Sequence, residues 1–334
     1  MITGVGRQLG VLGGAGVVVT VAAGLSLLVG IQPITPADVA AAVTAPSGSP
    51  ADAVVLHLRV PRTAAGLLAG AGLGLAGAVA QGLTRNPLAG PGVLGVNAGA
   101  AFAAVIVIAV AGVGSLGGYV WFCFAGAALA LAAVLAIAAA GPGGATPVKI
   151  AMAGAAVSAL LFSLTAGVVL RDHDVFERFR FWLVGSLTRA DLATVSQAVP
   201  FVAAGTVLAL ALARPLDAAA LGDDTARGIG ARPALLRGLA VAAVVVLAGT
   251  ATAVAGPVGF VGLVVPHVAR MLNGPAHLRV LPLSALLGAA VLLLADVVGR
   301  VVLRPEEVQV GVTAAVLGAP VFLYLVRRRR VAQL

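Results

Sequence analysis

Residues able to do chemistry are few in this 334-residue chain, and they stand far apart. The four histidines, His57, His173, His267 and His277, fall in separate segments. No cysteine or carboxylate stands at metal-ligand spacing beside them, so no metal centre is expected. The only lysine, Lys149, is followed by Ile150. That rules out a GxxxxGK[ST] phosphate loop, and with it ATP binding of that kind. Cys123 sits alone in an apolar run, reads as structural, and has no second thiol to pair with. No serine or cysteine has the neighbours of a nucleophile. Asp296 is the best-placed acid for coupling transport to an ion, yet it lies near the end of its apolar run. These absences argue against an enzyme and against a resident cofactor.

The remaining polar groups are mostly arginines at the edges of apolar runs: Arg59 and Arg62 in RVPR, Arg85 in RNPLAGPG, His267 and Arg270 in PHVAR, and Arg300 in ADVVGR. What must position them is a membrane. Hydrophobic residues make up 60% of the chain and charged ones only 10%, against about 25% charged in a soluble domain. Ten apolar runs, near 9–30, 63–83, 92–111, 118–140, 148–170, 191–213, 233–254, 257–271, 279–299 and 311–326, are each about one bilayer crossing. The fold class expected is therefore an all-α integral membrane protein of about ten transmembrane helices, with 1–334 as a single domain. The first run follows one cation, Arg7, and is too long for a secretory signal. Gly256-Pro257 ahead of the short eighth run suggests a tight re-entry.

Net charge is +9, but the cations are scattered and lack interleaved aromatics, so orientation in the membrane explains them better than nucleic acid does. With the amino terminus assigned inside, the cytoplasmic joints hold 13 of the 21 cations and three acids, Asp217, Asp223 and Asp224, a net of 13 − 3 = +10. The other side holds 8 cations and 9 acids, net −1. The skew puts both termini, with Arg327 to Arg330, in the cytoplasm. Gly66, Gly70 and Gly74 lie four apart, as do Gly95 and Gly99, which is the spacing of close helix packing.

Residues 59–101, RVPRTAAGLLAGAGLGLAGAVAQGLTRNPLAGPGVLGVNAGAA, resemble the signature of the FecCD family of ABC importer permeases. FWLVGSL at 181–187, LGDDTARGIG at 221–230, and the stretch from GPVGFVGLVVPHVAR at 256 through LLLADVVGR at 292 to VGVTAAVLGAPVFLYLVRRR at 310 follow in the family's order. The first segment and FWLVGSL are worded most like a ferric-siderophore member. The resemblance implies a type II ABC importer permease fold of ten helices, embedded in lipid in the bacterial inner membrane. It implies as partners a second permease subunit, two ATP-binding cassette ATPases and an extracytoplasmic siderophore-binding protein. The cargo implied is a ferric siderophore, with vitamin B12 or haem as alternatives. A passive pore or a non-transporting scaffold is the competing reading from outside the family.

The same resemblance assigns roles to residues. Arg59, Arg62 and Arg300 would receive carboxylates from the binding protein, while Arg300 could instead pair with Asp296 one turn earlier on its helix. Leu221, Gly222, Asp223, Asp224, Ala226, Gly228 and Gly230 would belong to the joint, about 214–232, that couples to the ATPase. Asp223 and Asp224 could equally cap a short helix. Arg85, Asn86 and Pro87 read mainly as a structural turn, with ATPase contact or gating as the lesser role, and His267 and Arg270 divide the same way.

Overall fold

The computed structural model describes residues 2–112, 116–140, 145–171, 184–222, 228 and 232–327. Among them the helices run α1 Ile2–Leu28, α2 Pro36–Thr44, α3 Pro50–Val54, α4 Val60–Thr84, α5 Val96–Ala111, α6 Leu116–Ala139, α7 Pro147–Arg171, α8 Leu192–Ala211, α9 Ala213–Ala220, α10 Pro233–Ala255, α11 Val261–Asn273, α12 His277–Val302 and α13 Val310–Arg327. Each of the ten expected runs falls on one helix, while α2, α3 and α9 are short connectors. Seven helices are long and apolar enough to cross a membrane, and Val96–Ala111 and Val310–Tyr324 are shorter apolar helices.

The bundle is built around α4, α10 and α12, whose spans are mostly buried, while α1, α6, α7 and α8 turn most of their side chains outward. Those outward side chains are apolar, including Val17, Leu129, Met152 and Val207. A helix apolar all round that is not enclosed by protein needs lipid around it.

Small residues let the central helices touch backbone to backbone. A Cβ on Gly70 would meet Ala289 Cα at 2.7 Å, and one on Gly74 would meet the Ser284 carbonyl carbon at 2.9 Å. The GLLAGAGLG spacing therefore marks the α4–α12 seam. Gly77 makes the matching approach to Gly262 of α11, and Gly99 to Gly126 of α6. Gly95 departs from this pattern. With φ of 75° it ends the turn after Pro91 and Gly92, so α5 begins at Val96 rather than near residue 92.

The re-entry at Gly256-Pro257 is a short bend. Gly256 has φ of 71° and Phe260 has φ of 65°. A Cβ on Gly318 would fall 2.6 Å from the Phe260 Cβ, so that phenyl group lies directly over α13. Asn97 Nδ2 donates to Val258 O at 3.0 Å and ties α5 to the same bend.

Candidate functional site

The arginines of RVPR and ADVVGR meet at one end of the bundle, where α1 and α12 end and α4 begins. A single π-helical turn, Val55–Arg59, joins α3 to α4 in one unbroken helix, and Pro61, which has no N–H to donate, follows directly after that turn. Arg59 and Arg62, three residues apart, share a face.

Arg62 lies between two carboxylates. Its Nε and Nη2 grip Asp296 as a fork at 2.8–3.1 Å, and its Nη1 donates to Glu307 Oε2 at 2.7 Å. Arg300 donates from Nε to Asp296 Oδ2 at 3.0 Å and from Nη2 to the same oxygen. Asp296 and Arg300 are both buried. One carboxylate thus serves two guanidinium groups, and the fork geometry makes these charge-assisted bonds directional.

The same arginines close the end of α1. The last carbonyls of a helix lack intrahelical partners. Val29 N–H takes Leu25 O. Arg300 Nη1 takes Ser26 O and Val29 O at 2.7 and 3.0 Å, and Arg59 Nη1 takes Leu27 O and Leu28 O at 2.7 and 2.8 Å. Two cations therefore sit on the negative end of the helix dipole. Arg59 Nη2 also reaches Gln32 O at 2.5 Å, beside Gly30, where a Cβ would stand 2.8 Å from that nitrogen. Ser26 Oγ, bonded to Thr63 Oγ1 at 2.8 Å, accepts from Arg300 Nη2 at 2.9 Å. A pocket of about 290 Å³ opens in front of the cluster, lined by Ile31, Val54, Leu58, Arg59, Arg62 and Glu307 among others.

A second polar cluster lies at the other end of α4 and α12. On α4, Arg62 and Gln81 are about 28 Å apart at about 1.5 Å per residue, close to the thickness of a hydrocarbon core. Gln81 is fully buried, donates to Leu263 O at 3.0 Å and accepts from Arg270 Nη1 at 2.5 Å. Arg270 is within electrostatic reach of His267 and His277. His277, at the start of α12, binds Asp217 of α9 through its backbone N–H at 3.0 Å and its Nδ1 at 2.6 Å. A carboxylate only accepts, so Nδ1 carries the proton. Buried and without a hydrogen-bond partner among the described residues are Arg270 Nε and Nη2, His267 Nε2, Asn273 Nδ2 and His277 Nε2.

The turn after α4 belongs to this end. Arg85 takes φ of 49°, its N–H bonds Gly82 O, and Asn86 N–H bonds Gln81 O, a Schellman closure. Asn86 Oδ1 then accepts from Leu88 N at 2.9 Å across Pro87. Arg85 and α9 share a pocket of about 510 Å³ with Leu83, Leu216, Ala219 and Arg237. Leu221 is exposed, and Gly222 has φ of 102°, with no described atom within 4 Å of where a Cβ would stand. Gly228 is exposed as well. Asp223, Asp224, Ala226 and Gly230 lie outside the described residues.

The FecCD transport family matches residues 18–328 of this sequence. The chain belongs to the FecCD transport family. This FecCD permease is 44% identical over 310 residues to the ferric enterobactin transport system permease FepD of Escherichia coli K12, covering 92% of each chain. It is 38% identical over 287 residues to YfiZ of Bacillus subtilis 168, described as a siderophore transport system permease, covering 86% of each. Among solved structures, an inward-facing metal-chelate type ABC transporter superposes with a TM-score of 0.79 at 28% identity over 95% of this chain and 98% of that one. The FecCD chain is accordingly a multi-pass membrane permease subunit of an ABC transporter, not an enzyme, and ATP hydrolysis belongs to separate subunits.

Within this permease, all three arginines expected to dock a partner converge, while the turn residues Arg85 to Pro87 and the gate residues His267 and Arg270 lie at the opposite end, linked through Gln81. Glu307, Gln81 and the Asp217–His277 pair were not singled out by sequence. For Gln81 a signal existed: within α4 it is the one polar side chain over residues 64–83, which are otherwise Ala, Gly, Leu and Val.

Proposed function

We propose that this permease carries ferric siderophores into the cytoplasm, with the arginine cluster facing outward to receive a binding protein and the histidine end facing a pair of ATPases. In this reading 1–334 is one membrane domain with both termini in the cytoplasm, paired with a second permease subunit. The observation that carries the cargo is the likeness to the ferric enterobactin permease across nearly the whole chain.

Charge supports the docking role. Among the described residues, Arg62 and Arg300 pair with Asp296 and Glu307 while Arg59 bonds carbonyl oxygens, so three cations meet two carboxylates, 3 − 2 = one positive charge in excess. An acidic side chain seated in the pocket would complete the pairing, and complementary charge at an interface speeds and orients association. Cargo release then follows from ATP-driven alternation between states that bind nucleotide and ligand differently. Leu221 to Gly230 and the Arg85–Pro87 turn would take up the motion of the ATPases.

The test is the reconstituted complex with its binding protein. Ferric enterobactin should stimulate ATP hydrolysis and enter the vesicle, whereas vitamin B12 and haem should not; stimulation by either of those instead would reassign the cargo. Arg62→Gln should weaken binding-protein association at least tenfold while the permease still assembles with its ATPase.

A further inference from the structure

We propose that Glu307 occupies the docking seat on Arg62 before the binding protein arrives, so that the partner's carboxylate must displace it. This rests on the docking reading above and adds the group that regulates it.

The two carboxylates on Arg62 differ in what holds them. Asp296 is 1% exposed and bonds Arg62 and Arg300 together, so it cannot leave without stranding two buried cations. Glu307 is 21% exposed, and its one side-chain hydrogen bond among the described residues is to Arg62 Nη1. It stands on the irregular segment between α12 and α13, at the wall of the pocket that Arg59 and Arg62 also line. The rest of that wall includes Arg300, Ile31, Val54 and Leu58. Of the three guanidinium groups on that wall, Arg59 and Arg300 turn donors onto the carbonyls around the end of α1, while the outer nitrogen of Arg62, Nη1, is held by Glu307.

Releasing Glu307 costs one part-buried ion pair, in which Arg62 is 12% and Glu307 21% exposed, and returns the glutamate to water. In exchange, the incoming acid reaches Arg62 with Arg59 alongside. A seat filled by its own chain lowers the partner's apparent affinity by the fraction of time it is free. If Glu307 holds it nine-tenths of the time, affinity is about tenfold weaker than that of the open seat. The contact then forms specifically and lets go after delivery, because the same chain supplies the competitor.

The experiment measures binding of the cognate extracytoplasmic siderophore-binding protein to the full permease–ATPase complex in lipid nanodiscs. Glu307→Gln keeps an oxygen for Arg62 but removes the charge, and its Kd should fall several-fold. Glu306→Gln makes the same charge change at an exposed neighbour that does not touch Arg62, and should leave Kd within about twofold. An unchanged or weaker Kd in Glu307→Gln overturns the proposal, and so does equal tightening in both variants, which would be general electrostatics. If the glutamine variant does not assemble, Glu307→Asp, which withdraws the charge by one methylene, should tighten binding in its place. Failure of both to assemble would make Glu307 a structural strut and would also overturn it. Wild-type binding by Arg62→Gln sinks the docking reading itself. Weak binding there, with wild-type affinity in the Glu307 variants, sinks only this inference.

Discussion

The two ends of α4 and α12 solve the same problem in opposite ways. Both bury arginine where lipid or protein surrounds it. At one end Arg62 and Arg300 share a carboxylate, Arg59 and Arg300 close the carbonyls of α1, and nearly every donor has an acceptor. At the other, Arg270 has Gln81 and a long bond to Pro266 O, while its Nε and Nη2, and nitrogens of His267, Asn273 and His277, have none among the described residues. A satisfied network has one low-energy arrangement and holds its shape; an unsatisfied one gains from rearranging or from a partner. The difference teaches where motion is stored. In the proposed function, the arginine end would be the landing surface that holds its core pairing, and the histidine end, beside the expected coupling joint, would be the side that changes.

The sharpest way to break this comparison is Asp296→Asn. It keeps the shape of the side chain but leaves Arg62 and Arg300 without their shared charge. Removing one partner from a buried ion pair costs about 3–5 kcal/mol. Unfolding titrations in mixed micelles should show a loss of that size, and a loss below about 1 kcal/mol would mean the cluster is wetter and looser than its hydrogen bonds indicate.

How much of this could be read from the sequence follows from distance along the chain. Apolar runs are local, so each of the ten expected spans found its helix. The GLLAGAGLG spacing is also local, and it marked the central seam. The pairing of Arg300 with Asp296, one turn away, was legible for the same reason. The remainder of the arginine network was not. Arg62 meets Asp296 across 234 residues and Glu307 across 245, and Arg300 meets Ser26 across 274. No periodicity carries such information, because those contacts exist only once α1, α4 and α12 have packed. Asp217 and His277 are likewise 60 residues apart. Their apposition depends on α9 folding back against the start of α12.

A smaller effect tests the α9 contact. Asp217→Asn keeps an acceptor for His277 Nδ1–H and for the backbone N–H but removes the charge. Charged hydrogen bonds exceed neutral ones by about 1 kcal/mol, and Asp217 is 37% exposed, so screening holds the loss to that scale or below. Stability should fall by no more than about 1 kcal/mol. If α9 transmits motion from the coupling joint, binding-protein-stimulated ATP hydrolysis should fall further than stability does. Equal, small losses in both would make the contact a strut.

The smallest expected effect on stability is also the most discriminating. Arg270→Met removes a buried guanidinium that has only partial pairing and puts a flexible apolar chain in its volume. Replacing a buried charge by an apolar group is often neutral or stabilising, and the opposing loss is the Gln81 Oε1 left without a donor, about 1–3 kcal/mol. These terms nearly cancel, so the folded permease should lie within about 1 kcal/mol of wild type, in contrast to Asp296→Asn. Transport should not be spared. If the unsatisfied end exists to be completed in a second conformation, then removing the group to be completed lowers transport while leaving the fold intact. A variant as unstable as Asp296→Asn would show that Arg270 is paired as tightly as the opposite cluster. A stable variant with wild-type transport would show that its open valences are filled by nothing that matters to the cycle.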